Sequence, residues 1–315
     1  MSIVEKAAEK LKALQPERSE QPEAAAAAAA PVEAPPDPHQ ASTIERLQER
    51  SVEHVTETGP VAEAAVSWPV DYRALERAGL RPTESDANDR LADELRRIKR
   101  PLLANAVGKR GIGPVHPERI VVTSASSGEG KTFTAVNLAM SLAREPDFEV
   151  LLVDGDIPKA DITRVLGLHG QPGLMDVLAN ERRRPAEVIV RTDMPNLSVV
   201  PVGERHPLTA ELFGSLRMQH VLEELGGRNQ RRLLVFDSSP LLVTSESQAL
   251  VAHMGQIVMV VAAARTPRHA VSTALQNVND SQYVGMVLNM SRLPASENYY
   301  DSYYGQYPRT PEGDA

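Results

Sequence analysis

The run Ala125-Ser126-Ser127-Gly128-Glu129-Gly130-Lys131-Thr132 lies between an aliphatic stretch, Ile120–Ser124, and a helical pattern, Lys131–Ala143. Small residues there let backbone N–H groups turn inward around a phosphate, and the helix start adds its positive dipole end. Lys131 is placed to bridge two phosphates of a nucleotide, and the Thr132 hydroxyl to bind a divalent cation. One departure from GxxxxGK[ST] is Ala125, where the first glycine is expected. Two more aliphatic runs end in carboxylates, one in Asp154-Gly155-Asp156 and one in Asp237-Ser238-Ser239-Pro240. Strands of a parallel sheet open their carboxyl ends on one edge, so Asp154, Asp156 and Asp237 should meet Lys131 there. Three carboxylates beside a phosphate loop suit phosphoryl transfer, which needs groups to hold Mg2+ and a nucleophile. The predicted cofactors are ATP and the Mg2+ that arrives with it.

These residues need strands that end together and helices that start there. The predicted strands are Ile120–Ser124, Val150–Asp154, Leu197–Val202, Leu233–Asp237, Ile257–Ala263 and Val284–Asn289. Several are near-continuous aliphatic runs, as expected of parallel strands covered on both faces. Between them lie helical patterns at Lys131–Ala143, Ala210–Leu225 and Arg268–Val278, the last with Thr266 as N-cap and Pro267 at the first helical position. An earlier helix is capped by Ser85 or Asp86 and runs through Arg100, where Pro101 kinks or ends it. The alternation predicts an α/β fold: a doubly wound, mostly parallel sheet of P-loop type. Ahead of it, residues 1–15 carry apolar positions at helical spacing (Ile3, Val4, Ala7, Ala8, Leu11, Leu14), read as a frayed terminal helix rather than a docking one. Residues 16–66, with an alanine run and four prolines from Pro31 to Pro38, read as a linker. The domain is predicted over 67–290, with a tail at 291–315.

Bulk properties exclude some functions. A formal charge of −8 over 315 residues argues against a dedicated nucleic-acid binder. With no cysteine there is no disulfide, thiol nucleophile or thiolate-bound zinc, and the eight histidines show no metal-ligand spacing. No apolar run reaches the roughly 18 residues of a membrane span, and charges at Glu5, Lys6, Glu9 and Lys10 interrupt any signal-peptide core. A soluble protein is expected, with any membrane role through a partner.

Taken together, Gly128-Glu129-Gly130-Lys131-Thr132, the aspartates at 154 and 156 and the aspartate at 237 resemble the bacterial tyrosine kinases of capsule and exopolysaccharide loci. Glu94-x-x-Arg97-x-x-Arg100, Gly173-Leu174-Met175-Asp176-Val177-Leu178 and Gly285-Met286-Val287-Leu288-Asn289 extend the likeness from about Asp86 onward. Met1–Ala8 and Arg97–Leu103 are similar to the branch associated with exosortase loci. The resemblance implies that Asp154 accepts the tyrosine proton and that Asp156, Asp237 and Thr132 surround Mg2+. It implies nucleotide contacts from Ser126, Ser127, Gly128, Glu129, Gly130, Lys131, Thr132, Phe133 and Asn289. It also implies a homo-oligomeric ring assembled through Glu94, Arg97 and Arg100, a separate membrane chain-length-determinant protein as activator, and a cognate tyrosine phosphatase. The expected location is the cytoplasm, at the inner membrane through that partner. The family's basic residue two positions after the second aspartate is Pro158 here, with Lys159 next as its substitute.

Five of the seven tyrosines, Tyr299, Tyr300, Tyr303, Tyr304 and Tyr307, cluster near the C-terminus among prolines and glycine. Behind such a domain they read as phosphoacceptors. The segment from Asn289 reaches roughly 30–60 Å at about 3.3 Å per residue, enough to enter a neighbouring copy's site. Two alternatives stay open. A partition or cell-division ATPase shares the sheet but carries lysine where this chain has Ser126, and a non-catalytic nucleotide-binding regulator would use the same binding residues.

Overall fold

The computed structural model describes residues 67–81, 85–108, 113–227 and 231–291. The N-terminal helix, the linker and the tyrosine cluster lie outside the described residues.

The chain enters at Trp68, whose backbone pairs with Thr192 and whose indole N–H donates to the Leu166 carbonyl at 2.8 Å. Helix α1 (Tyr72–Arg77) is capped by the Asp71 carboxylate, which accepts from the Ala74 N–H. Helix α2 spans Ser85–Ala106, so of the two outcomes expected at Pro101, a kink or an end, the helix does not end there. It continues because Leu102 is buried and the Asn105 amide donates to the Gln256 carbonyl oxygen at 2.8 Å, while Gln256 in turn donates to the Leu102 carbonyl. Tertiary contacts here outweigh the one helical hydrogen bond that proline removes.

The alternating part runs β1 (Arg119–Ser124), α3 (Lys131–Leu142), β2 (Glu149–Gly155), α4 (Asp161–Val165) and α5 (Leu174–Ala179). After a 3-10 turn come β3 (Val190–Arg191), β4 (Leu197–Val200), α6 (Thr209–Phe213) and α7 (Leu216–Gly226). The end of the domain is β5 (Arg232–Ser238), α8 (Ser245–Val251), β6 (Gln256–Ala262), α9 (Arg268–Leu275) and β7 (Tyr283–Asn289). The seven strands form one sheet in the order β3-β4-β2-β5-β1-β6-β7. Every pairing is parallel except β3 with β4. The predicted doubly wound α/β sheet is therefore present, with β3 as an antiparallel edge that its two residues could not announce.

Alternate side chains build two cores. Val122, Leu152, Val235 and Val258 face Leu95, Leu102 and the buried side of α3, while Val121, Leu151, Phe236 and Met259 face Met175, Phe213 and Leu222. Both faces are covered, which is why these strands read as unbroken aliphatic runs. Two helix predictions need correction. The stretch 210–225 is broken at Gly214 because Ser215 starts a new helix, its hydroxyl accepting from the Met218 N–H. Helix α9 has Pro267, not Thr266, at its N-cap and stops at Leu275. The Thr266 hydroxyl is engaged elsewhere.

Candidate functional site

The carboxyl ends of β1, β2 and β5 lie side by side, and their register sets Asp154 directly beside Asp237. Asp154, Asp237 and Asp156 are all buried, at 0%, 0% and 2% exposure. Strand β1 delivers the phosphate loop, and Gly128 (φ 76°) and Gly130 (φ 93°) take the left-handed backbone conformation open to glycine. Ala125 is buried and is not among the positive-φ residues, so the loop needs no glycine there. Gly130 is also the N-cap of α3, which brings Lys131 into the site at 3% exposure.

Each carboxylate is held differently. Asp154 Oδ2 accepts from the Thr163 N–H at 2.8 Å and from its hydroxyl at 2.7 Å, while Oδ1 has no partner. Asp156 Oδ1 accepts from the Ser239 hydroxyl at 2.7 Å, and Oδ2 has no partner. Both oxygens of Asp237 are orphaned, with the nearby Thr132 hydroxyl acting to lower its carboxyl against burial. Burial pushes the Asp154 carboxyl up to about 6, against the two Thr163 hydrogen bonds and with help from the Asp156 charge. Burial also raises Asp237 well above its ordinary range, the Asp154 charge adding to it, and burial lowers the Lys131 amine, with Asp237 and Asp156 opposing that shift.

Four unpartnered buried carboxylate oxygens fit a cation. Among the described residues no three His, Cys, Asp or Glu side chains form a metal cage of their own. Mg2+ would need only one or two of these carboxylates, completing its shell with water and substrate phosphate. Beside the loop opens a cleft of about 380 Å³ lined by Leu80, Lys131, Phe133, Lys159, Asn289 and Met290, among others. It fits a nucleotide next to the loop's amides.

Of the residues named from the sequence, Gly128, Gly130, Lys131, Thr132, Phe133 and Asn289 line this cleft, and Ser127 lies in the loop beside Gly128. Three details differ from expectation. The Ser126 N–H is turned to the Glu129 carboxylate at 2.9 Å and so is spent within the loop. Glu129 faces inward at 4% exposure. The Asn289 amide donates to the Glu129 carbonyl at 2.9 Å, and its own carbonyl accepts from the Met290 N–H. Lys159 stands in the cleft, and its charge helps depress the Lys131 amine. Glu94, Arg97 and Arg100 lie on the exposed side of α2, while Lys99 between them turns inward to the Ser141 carbonyl and Glu145.

Sequence reasoning missed Thr163, Ser239, Leu80 and Arg265. Thr163 follows the acidic start of a helix, and Ser239 follows Asp237 by two residues, a weak signal in each case. Leu80 arrives from the entry segment, its carbonyl accepting from Asn137 at 2.7 Å. Arg265 extends over the loop, its Nη2 4.0 Å from where a Cβ on Gly128 would lie.

A family model described as AAA domain matches residues 118–283, more than half of the chain. The chain belongs to that family, among its bacterial tyrosine kinases. Tyrosine-protein kinase YwqD of Bacillus subtilis is 28% identical over 188 residues, covering 59% of this chain and 77% of that protein. Tyrosine-protein kinase wzc of Salmonella typhi is 30% identical over 190 residues, 60% of this chain but 26% of its own length. The chain thus spans about a quarter of that longer relative. Among solved structures, the VpsO kinase domain is 25% identical with a TM-score of 0.53, covering 66% of this chain and 98% of that one. The kinase domain of Escherichia coli ETK, at 22% identity and a TM-score of 0.53, shares the fold. A P-loop of this kind binds nucleotide.

Proposed function

We propose that the chain is an ATP-dependent protein tyrosine kinase that phosphorylates the tyrosine cluster of its own C-terminal segment. The observation that carries this reading is Asp154: a buried carboxylate, raised to about 6, with one oxygen fixed by Thr163 and the other unpartnered, on the strand end next to Asp237. A phenol loses its proton near pH ~10 in water, so transfer to phosphorus needs a positioned base that is ionised at neutral pH. Asp154 meets both requirements.

Lys131 and the loop amides hold the phosphates and stabilise charge developing on the transferred group. Asp154 Oδ1 takes the tyrosine proton as the phenolic oxygen bonds to the γ-phosphorus and the bridging oxygen leaves with ADP. Asp156, oriented by Ser239, and Asp237 would hold Mg2+ with Thr132. When bound, the cation supplies Lewis-acid neutralisation of the phosphates. Lys159 adds a second positive charge on the cleft wall.

The wider reading follows the same line. A ring formed through Glu94, Arg97 and Arg100 presents one copy's tail to the next copy's site. A separate membrane chain-length-determinant protein activates it at the inner membrane, a phosphatase resets it, and exopolysaccharide chain length is what the cycle regulates. The names of the relatives support the kinase part of this reading. No helix among the described residues is long and apolar enough to cross a membrane.

The test is phosphosite mapping by mass spectrometry after incubation with Mg-ATP, with Lys131→Met as control. Phosphate on Tyr299 to Tyr307 that is absent from the control is the expected result. Bound or hydrolysed nucleotide with an unmodified segment, even with the membrane partner present, would favour an ATPase or a non-catalytic regulator.

A further inference from the structure

Glu129 is a carboxylate buried inside the phosphate loop, and neither nucleotide chemistry nor helix capping requires it there. Burying a charge is costly unless its oxygens are satisfied, and here both are. Oε2 accepts from the Ser126 N–H at 2.9 Å, across the loop. Oε1 accepts from the Thr266 hydroxyl, which itself accepts from the Ala262 N–H at 3.0 Å. The Glu129 carbonyl accepts from Asn289 at 2.9 Å. One loop residue is therefore tied to the loop's own beginning, to the turn after β6 and to the last residue of β7. These contacts also explain why Thr266 is not the N-cap of α9.

We propose that Glu129 is a positioning residue that sets the phosphate loop in its cradling shape before nucleotide arrives, with Thr266 as its anchor. The loop carries two glycines in the left-handed region, so it has wide backbone freedom to lose when it closes on a phosphate. Removing that freedom in advance lowers the cost of binding. Through Asn289 the tie also joins the loop to the strand from which the C-terminal segment departs. The inference rests on the nucleotide-site reading but not on the identity of the phosphate acceptor.

The test titrates the full chain with a fluorescent ADP analogue and Mg2+, comparing Glu129→Ala, Thr266→Val, Thr266→Ser and the double variant E129A/T266V. Each variant's melting temperature without nucleotide checks its fold. Thr266→Val should weaken binding about tenfold, the scale of one buried hydrogen bond to a charged group. Thr266→Ser, which keeps the hydroxyl, should bind like the unmodified chain. The double variant should bind no more weakly than Glu129→Ala, because the two residues act as one unit. If Glu129→Ala does not fold, the Val and Ser variants at 266 decide. Equal affinity for those two, or additive losses in the double variant, would overturn the role. An unmodified chain that binds no better than Lys131→Met overturns the nucleotide site itself, a separate outcome.

Discussion

Asp154 must be charged to accept a proton, yet it sits where charge is disfavoured, and both facts are measurable. Its carboxyl is raised from 3.8 to about 6, so between those values the folded chain keeps a proton that the unfolded chain has released. Stability therefore falls as pH rises through that window, by on the order of 2–3 kcal/mol once it is complete. Asp154→Asn should raise the melting temperature of the nucleotide-free protein at about pH 7.5 and leave it unchanged near pH 4, by calorimetry. The catalytic consequence has the opposite sense. Phosphorylation should slow as pH drops through about 6, because the base becomes protonated. A rate that stays flat from about pH 5 to 8 would remove Asp154 from that role. Lys131 and the three aspartates were legible because each ends or begins an element with a strong pattern. Thr163 and Ser239 were not: Ser239 lies 83 residues from the Asp156 it orients, and nothing local marks that pairing.

At the scale of elements, the motif Gly173-Leu174-Met175-Asp176-Val177-Leu178 has a physical cause. A Cβ on Gly173 would lie 2.2 Å from the Pro201 carbonyl and 2.3 Å from the Gly203 nitrogen. That contact lets the Leu174 and Met175 N–H groups donate to Pro201 and Val202 at the end of β4. Asp176 accepts from the Gly173 N–H at 2.7 Å and the Glu204 N–H at 3.2 Å, and the four apolar residues are buried. Gly173→Ala should destabilise the domain by roughly 2–4 kcal/mol, because the obstacle is backbone that cannot step aside. Urea unfolding measures this, and a midpoint unchanged from the parent would refute it. Helix limits were the least legible feature. Pro101 and the Gly214-Ser215 break follow opposite rules: packing of Leu102 and Asn105 carries one helix past a proline, while a local serine cap divides the other.

For the whole molecule, the face of α2 that carries Glu94, Arg97 and Arg100 points away from the core. A charged helix face contributes only a few tenths of a kcal/mol by itself, so its removal tests assembly rather than folding. Replacing all three by alanine should lower the mass seen by light scattering and leave the melting temperature nearly unchanged. An unaltered mass would dismiss the ring interface. Parallel pairing of β7 with β6 ends the sheet at Asn289 on the phosphate-loop edge, so the chain toward the tyrosines leaves beside the site. Sequence alone determined the α/β class, the phosphate loop, the three aspartates and the parallel sheet, because aliphatic runs and loop chemistry are local and periodic. Tertiary structure decided which oxygens lack partners, which groups shift their protonation, and that Thr266 serves the loop through Glu129. Those properties depend on exclusion of water and on groups far apart in the chain, and both exist only once the sheet has closed.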